Sequence, residues 1–491
     1  MGEHTTFSWL PVIIPVLPLV AAPAIYVAGL RSWKARNTLS LIVAATCTCL
    51  VLLLYPAVSG GTIVEASFPR IVPPLGLSFR VDPLGLLLGV IASFIWTMAT
   101  VYSLEYMKHE HHKKRYYPFL ILALAGCMGT FMAGDLFTLF LFYEIMSLSA
   151  YVLVIHEETS EAMRAGYKYL IMTIIGGLSI FMGIAITYQI TGNISLGQGG
   201  VFPGASGVAL LGFVGFLIGF GIKAGMVPLH VWLPDAHPVA PSPASALLSG
   251  LLVKTGAYGL IRIIYDIYGI ELVREAGWNE VMIWMAAITI FLGSAVAIVQ
   301  DDLKRRLAYS TIGQMGYILL GMALLNPNAL AGTIFHIFSH AFMKSTLFLC
   351  AGAILHRIHT RSISKMGGVG PKMPLTMAAF TMASLAMIGV PPFNAFLSKW
   401  QISLGALDVG RPFFVGLLLV SSFMNMAYYM PVIIAAFCGL KDTCPDTRIQ
   451  EAPWTMMVPI IVLALANVFF NVIPRSLPLI LSEMAAALLY H

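Results

Sequence analysis

Long apolar runs separated by short polar breaks cover almost the whole chain. Cutting wherever an apolar stretch of about 20 residues ends predicts about 14 membrane-spanning helices, beginning near residues 9, 38, 82, 116, 135, 165, 208, 241, 279, 307, 329, 374, 412 and 454. No polar stretch between them is long enough for a separate soluble domain, so the pattern predicts an all-α polytopic membrane protein. Two of the runs are interrupted at membrane depth. Pro228, Pro234, Pro238, Pro241 and Pro243 lie between Lys223 and Lys254, and Gly389, Pro391 and Pro392 stand just before Lys399. Proline lacks the amide a helix needs and clashes with the preceding turn. Bare backbone at that depth is tolerated only where protein encloses it or water lines it. The seventh and twelfth spans are therefore expected to be discontinuous helices.

Of the 491 residues, 58% are hydrophobic and only 10% charged, against roughly 25% charged in soluble proteins. A soluble enzyme with a single anchor is excluded. The first run lacks a basic leader, contains Pro11, Pro15, Pro18 and Pro23, and ends in Arg31, Lys34 and Arg36, which reads as a retained span rather than a signal peptide. Cys47, Cys127, Cys350 and Cys438 sit in apolar runs, and Cys47 and Cys49 would point about 200° apart on a helix, so neither a disulfide framework nor a metal knot is expected. Alternate loops carry eighteen Lys and Arg, among them Lys108, Lys113, Lys304 and Arg361, and the opposite loops only Arg70, Arg80, Arg274 and Arg411. Basic loops mark the cytoplasmic side, which places both termini outside and favours an even number of spans. The net charge of +6 reflects this asymmetry and not nucleic-acid binding. In that topology the seventh span runs inward and the twelfth outward, as two inverted five-helix repeats would place them. The expected layout is helices 1–3 in 1–115, a first half in 116–268 (helices 4–8), a second in 279–438 (helices 9–13), and helix 14 with a tail in 439–491.

Six basic residues fall outside these loops. Arg262 and Arg475 lie near span ends, where they are expected to snorkel. Lys223, Lys254, Lys344 and Lys399 lie well inside apolar segments, where a charge costs at least about 2.5 to 3.5 kcal/mol. Glu144 is nine residues beyond Asp135, about 13 Å into the membrane at the helical rise. One such group alone could be structural, but five at mid-span point to function. His336, His340 and Lys344 recur at i, i+4 and i+8 beside Ser339 and Ser345, one polar helix face that suits water or a proton relay; metal ligation and interhelical hydrogen bonding are its rival readings. The tract from His109 to Lys114 reads as a solvated or partner-facing loop, and His156, Glu157, Glu158 and Glu161 as a helix end. No P-loop, dinucleotide fingerprint, CxxC pair or haem-type histidine spacing is present, so no cofactor or metal is expected.

Several stretches together resemble the antiporter-like membrane subunits shared by respiratory complex I, energy-converting membrane-bound hydrogenases and Mrp-type sodium/proton antiporters. They are GDLFTLFLFYEIMSLSAYVL at 134–153, KAGMVPLHVWLPDAHPVAPSPASALLSGLLVKTGAYGLIR at 223–262, QDDLKRRLAYSTIGQMGYILLG at 300–321, HIFSHAFMKSTLFLCAGAI at 336–354 and GVPPFNAFLSKW at 389–400. The resemblance spans about the whole chain. Within the family the chain resembles the fourteen-span members, since it ends near residue 491 without the lateral helix of the largest complex I subunit. The resemblance implies that Glu144 is the fifth-span acid paired with Lys223, Lys254 the connecting residue, and His336, His340 and Lys344 the central polar helix. Lys399 then matches the terminal group, a Lys in some members and a Glu in others. It implies a non-catalytic subunit that moves protons, or sodium and protons, in a redox-driven complex of the prokaryotic inner membrane, beside related antiporter-like subunits. The alternatives are a subunit of an autonomous Mrp-type cation/proton antiporter and a scaffold or quinone-binding subunit. The opening FRVDPLGLLLGVI at 79–91 inclines to an Mrp-like or hydrogenase-type assembly.

Cysteine labelling tests the orientation: probes at 195–205 are expected to react from outside and probes at 109–114 from the cytoplasm. Reversed accessibility would overturn the span assignment.

Overall fold

The computed structural model describes residues 4–72, 75–108, 110–438, 450–473 and 476–490. The chain is predominantly helical, with one small sheet. Strand β1 (His4–Phe7) leads into helices α1 (Leu10–Arg31) and α2 (Trp33–Leu52) and the short α3 (Tyr55–Ser59). Strands β2 (Thr62–Val72) and β3 (Leu75–Val81) then pair antiparallel, with β1 added parallel to β2. The sheet departs from the all-helical expectation. Its sequence, TIVEASFPRIV, is rich in β-branched residues and too short and polar to span, which suits a pleated pair between two spans.

The next helices are α4 (Pro83–Tyr106), α5 (Lys113–Phe131), α6 (Leu136–Val154), α7 (Ser160–Thr191) and α8 (Gly207–Ala224). Then come α9 (Leu233–Val239), α10 (Ser242–Leu247), α11 (Val253–Arg262), α12 (Ile270–Glu275), α13 (Trp278–Val299), α14 (Leu303–Ala323) and α15 (Pro327–Ile358). The chain closes with α16 (Val369–Lys372), α17 (Pro374–Ile388), α18 (Asn394–Asp408), α19 (Pro412–Cys438), α20 (Trp454–Val472) and α21 (Leu477–Tyr490). Among the described residues ten helical stretches are long and apolar enough to cross a membrane, so this is a multi-pass membrane protein. Both expected interruptions are present: α8 stops at Ala224 and α17 at Ile388, each followed by a glycine with positive φ, Gly225 and Gly389. Helix α21 was not anticipated; it packs on α15 and α4.

Side-chain caps start the spans. Asp82, Asp135 and Asp302 accept from Gly85 N, Thr138 N and Arg305 N at 2.8, 2.7 and 2.9 Å, satisfying amides that lipid could not. Small residues let helices approach: Gly126 lies against the Met146 backbone, and Gly293 against Gly313, the close packing that replaces hydrophobic drive in a bilayer. The centre is α15, buried from Ala329 to Ile354, with the run 242–268 buried beside it. Outer helices turn residues such as Leu178 and Phe423 outward.

Two basic residues behave otherwise than expected. Arg262 does not snorkel. Its side chain is 1% exposed and bridges Asp82 Oδ2 at 2.7 Å and Asp266 Oδ2 at 3.0 Å, with the guanidinium 4.9 Å from the Tyr258 ring centre. Asp266 stands at i+4, a local spacing that suits an ion pair, whereas Asp82 lies far upstream, at the start of α4. Lys304, counted as a loop charge, is buried and donates to Ala240 O at 2.6 Å and Pro238 O at 3.3 Å. Arg475, Lys441, Arg448 and His109 lie outside the described residues.

Removing one partner of a buried pair strands the other charge. Arg262→Met is therefore expected to cost about 3 to 5 kcal/mol, and adding Asp82→Asn should recover part of that loss. Thermal unfolding in detergent checks both; additive losses would sink the pairing.

Candidate functional site

The two helix breaks organise the site. At the first, Lys223 occupies the last turn of α8, donates to Tyr169 Oη at 3.0 Å, and lies 5.2 and 5.3 Å from the ring centres of Tyr169 and Tyr143. Glu144 lies on α6, half-buried, with Oε1 enclosed against Gly177 and lacking a hydrogen-bond partner among the described residues. No ion pair within 4 Å joins it to Lys223 among the described residues. The pair is held apart.

At the second break, Lys399 reaches back to the end of α17 and donates to Met387 O and Ile388 O, both at 3.0 Å, and to Ser422 Oγ at 3.1 Å. A cation belongs at a helix C-terminus, where carbonyls lack intrahelical partners. The same ammonium stands 4.9 Å from the Tyr317 ring centre and lines a cleft of about 250 Å³ with Gly389 and Ser422.

Between the breaks the buried groups form a hydrogen-bonded line. The π-helical turn Leu248–Leu252 frees the Ser249 carbonyl, to which Lys254 Nζ donates at 2.6 Å; such turns gather at functional sites. Ser249 Oγ and Thr311 Oγ1 are 2.7 Å apart, and Thr311 Oγ1 and Lys344 Nζ both donate to Leu307 O at 2.9 Å. His336 and His340 stack at 6.1 Å and 10°, as the i, i+4 spacing requires. His336 bonds Ser398 Oγ through Nδ1 at 2.8 Å and Gln314 Oε1 through Nε2 at 3.1 Å, while both nitrogens of His340 face no partner among the described residues.

Several polar groups escaped the sequence reading. Lys344 Nζ donates to Tyr429 Oη at 3.3 Å, and Tyr429 Oη and Ser310 Oγ are 2.7 Å apart. Tyr428 Oη lies 2.9 Å from Ser310 Oγ and 2.8 Å from Asn425 Oδ1. Asn425 Nδ2 then donates to Met387 O at 3.2 Å, the carbonyl Lys399 also holds. The signal was there: Asn425, Tyr428 and Tyr429 share a helix face at i, i+3 and i+4. Tyrosines are common at membrane interfaces, which hid them. His237 was missed as well; it is buried, stacked on Phe348 at 5.0 Å, with both nitrogens unpartnered among the described residues.

At the basic end the loops are less solvated than expected. His156 is buried and its Nε2 lies 3.0 Å from His111 O. Glu110 is half-buried, and its carboxyl is pushed up from 4.5 to about 7, first by burial and next by the Glu157 charge. Tyr106 Oη is 3.4 Å from Ser242 Oγ, so this end of α4 adjoins the interrupted segment.

The fold and this chain of buried lysines, histidines and hydroxyls define an antiporter-like membrane subunit, and comparisons with known proteins place the chain in a family. Residues 133–425 match the NADH:quinone oxidoreductase/Mrp antiporter transmembrane family, and residues 74–117 match the family described as NADH-ubiquinone oxidoreductase (complex I), chain 5 N-terminus. NADH-quinone oxidoreductase subunit N of Desulforudis audaxviator is 37% identical over 438 residues, 83% of this chain and 86% of that protein. An Na(+)/H(+) antiporter subunit of Alkalihalophilus pseudofirmus is 31% identical over 370 residues, 74% of each. A chain in the structure of a membrane-bound sulfane sulfur reductase, an archaeal respiratory membrane complex, superposes with a TM-score of 0.88 at 26% identity, covering 99% of this chain and 98% of that one. The chain belongs to the NADH:quinone oxidoreductase/Mrp antiporter family of membrane subunits.

The carboxyl pair gives a pH signature. Glu110 binds its proton more tightly folded than unfolded, so it favours folding below about pH 4.5, and that benefit is lost as the pH rises through about 7. Glu110→Gln should leave the melting temperature near wild type at pH 4.5 and raise it at pH 8, where Glu157, Tyr106 and Lys304 remain as its neighbours. Parallel pH profiles in thermal unfolding would refute the pairing.

Proposed function

We propose that this chain carries protons across a prokaryotic inner membrane, with both termini outside, as one ion-translocating subunit of a multisubunit complex beside related antiporter-like subunits. The observation that carries the reading is the row of buried polar groups that links Lys254, Lys344 and Lys399, in which the side chains of Ser249, Thr311, Tyr429, Ser310, Tyr428 and Asn425 alternate with shared backbone carbonyls. Protons enter from the basic side, pass Lys223, Lys254 and the His336, His340 and Lys344 face, and leave past Lys399. Glu144 gates Lys223: brought together, the two favour the ion pair; separated in low dielectric, each tends to neutral. Their titrations are then coupled. The amines and hydroxyls of this row, with the imidazoles of His336 and His340 beside it, exchange protons; a sodium ion would need several convergent oxygens and would be repelled by the lysines.

The proposed architecture is 14 spans, with inverted five-helix repeats in 116–268 and 279–438 flanked by 1–115 and 439–491. A constant offset along the chain supports it: the same interval separates Asp135 from Asp302, Ser195 from Ser362, and the helix start Gly207 from the helix start Pro374. Asp135 pairs with Ser195, and Asp302 with Ser362, in matching isolated β-bridges. Helices α7 and α15 are both 32 residues long. An offset of five spans reverses direction, giving inward and outward half-paths.

No step of this relay supplies energy, so a partner must: a redox complex, or in the alternative reading an ion gradient in an autonomous Mrp-type antiporter. The chains that co-purify distinguish the two. The relay itself is tested by proton flux in vesicles holding the assembled complex. Glu144→Gln and Lys399→Met should each reduce flux at least tenfold, and Lys399→Glu should retain part of it. A Lys399→Met complex that is fully active beside an inactive Lys399→Glu complex would remove Lys399 from the pathway, and normal flux in Glu144→Gln would remove the gate.

A further inference from the structure

Arg36 is a buried cation with neither a carboxylate nor a backbone carbonyl on its guanidinium among the described residues. Arg36, in the first turn of α2, is 4% exposed. Its Nε and Nη2 both donate to Asn37 Oδ1, at 3.1 and 2.9 Å, and its guanidinium lies 4.7 Å from the Tyr117 ring centre. Arg262, equally buried, has two carboxylates; Arg36 has none among the described residues. An arginine cannot shed its proton, and Arg306, which has no carboxylate either among the described residues, is met by three backbone carbonyls; Arg36 has only one amide oxygen among them, so an anion from outside the chain would be held strongly.

The surroundings say which anion. Arg36 lines a cleft of about 440 Å³ together with Trp33, Leu104, Met107, Lys108 and Lys113. It lies at the lysine-rich end, where Lys113 Nζ donates to Lys108 O and Lys108 is already paired with Glu105 at 2.8 Å. Trp33, 60% exposed at its rim, is the residue type that marks the headgroup level. From this cleft the seam between α2 and α4 runs toward the bilayer centre past partly exposed Val101, Met98 and Phe94. It ends in a second crevice of about 370 Å³, almost wholly apolar, lined by Thr48, Leu52, Val90 and Phe94 with Phe338 and Phe342 of α15. The crevice starts at Thr48, about 18 Å beyond Arg36 along the helix, and reaches Leu52, about 24 Å beyond it, against about 15 Å for the hydrocarbon of one leaflet. A charged cleft at the interface, followed along the partly exposed face of α4 by an apolar crevice at mid-membrane, suits a phospholipid whose headgroup sits in the cleft and whose chain end reaches the crevice.

We propose that the α2/α4 seam binds an anionic phospholipid, with the headgroup phosphate on Arg36 and Lys113 and an acyl chain in the crevice behind α15. Basic pockets between spans on the cytoplasmic side suit such headgroups. The lipid neutralises Arg36 and its tail packs on Phe338 and Phe342, on the helix whose residues His336, His340 and Lys344 build the central line.

Native mass spectrometry of the assembled complex with long-chain phosphatidylglycerol, long-chain phosphatidylcholine, dihexanoyl phosphatidylglycerol and inorganic phosphate tests this. Retention of phosphatidylglycerol over phosphatidylcholine should fall about fivefold in Arg36→Gln and in the rim variant Lys113→Gln, the loss of one basic contact each. Arg36→Lys should retain most of it. Val90→Trp, which fills the crevice, should weaken the long-chain lipid and spare the dihexanoyl one. Unchanged preference in both Gln variants would overturn the site. So would displacement of the lipid by inorganic phosphate, or exclusion of lipid from the seam by an acidic segment of a neighbouring subunit.

Discussion

Buried ammonium groups at Lys254, Lys304 and Lys399 hold backbone carbonyl oxygens in or beside interrupted helix, and much of the arrangement of the protein's interior depends on that pairing; Lys223, at the first break, is held by Tyr169 Oη instead. Lys399 takes the end of α17, Lys254 the carbonyl opened by a π turn, and Lys304 the backbone at Pro238 and Ala240. In a bilayer each unsatisfied carbonyl and each unsolvated ammonium is expensive alone. Together they cancel, so the breaks and the lysines require one another. The lysines themselves are buried, while the break residues beside them, Pro228, Val231 and Val390 to Pro392, reach the surface of the chain.

A carbonyl partner differs from a carboxylate partner in one respect that matters for function. A lysine bonded to a carbonyl can lose its proton and still donate a hydrogen bond as a neutral amine, leaving no orphaned charge behind. Arg262, fixed between Asp82 and Asp266, has no such freedom. The molecule thus separates two uses of buried charge: a locked carboxylate–guanidinium cluster that ties β3 and α4 to α11, and a row of lysines free to change state in the proposed relay. Glu144, half-buried and apart from Lys223, belongs with the second group, since its enclosed oxygen makes no structural bond among the described residues.

The same logic reaches the periphery. Where the chain supplies its own counter-charge, as at Arg262, the site is closed; where it does not, as at Arg36, the surface carries a cleft. At the basic end Glu110 and Glu157 share a site that disfavours two charges at neutral pH. Both features border helices that also contact the interrupted segment or the back of α15.

The sequence alone determined the membrane class and both helix breaks, and it singled out Glu144, Lys223, Lys254, His336, His340, Lys344 and Lys399 as titratable groups within apolar helices. These signals are local: hydropathy over the length of one span, proline chemistry, i, i+4 spacing, and the cost of a charge in an apolar run. Tertiary structure decided what each charge faces. Asp82 and Arg262 meet from distant parts of the chain, Tyr428 and Tyr429 meet Ser310 from a different helix, and His237 gained its burial from Phe348. The sheet, α21 and the burial of Lys304 and Arg36 were likewise set by packing. Pattern along a chain reports how much a residue costs in lipid, whereas the partner that offsets the cost comes from whichever distant helix packs against it, and no local spacing encodes that.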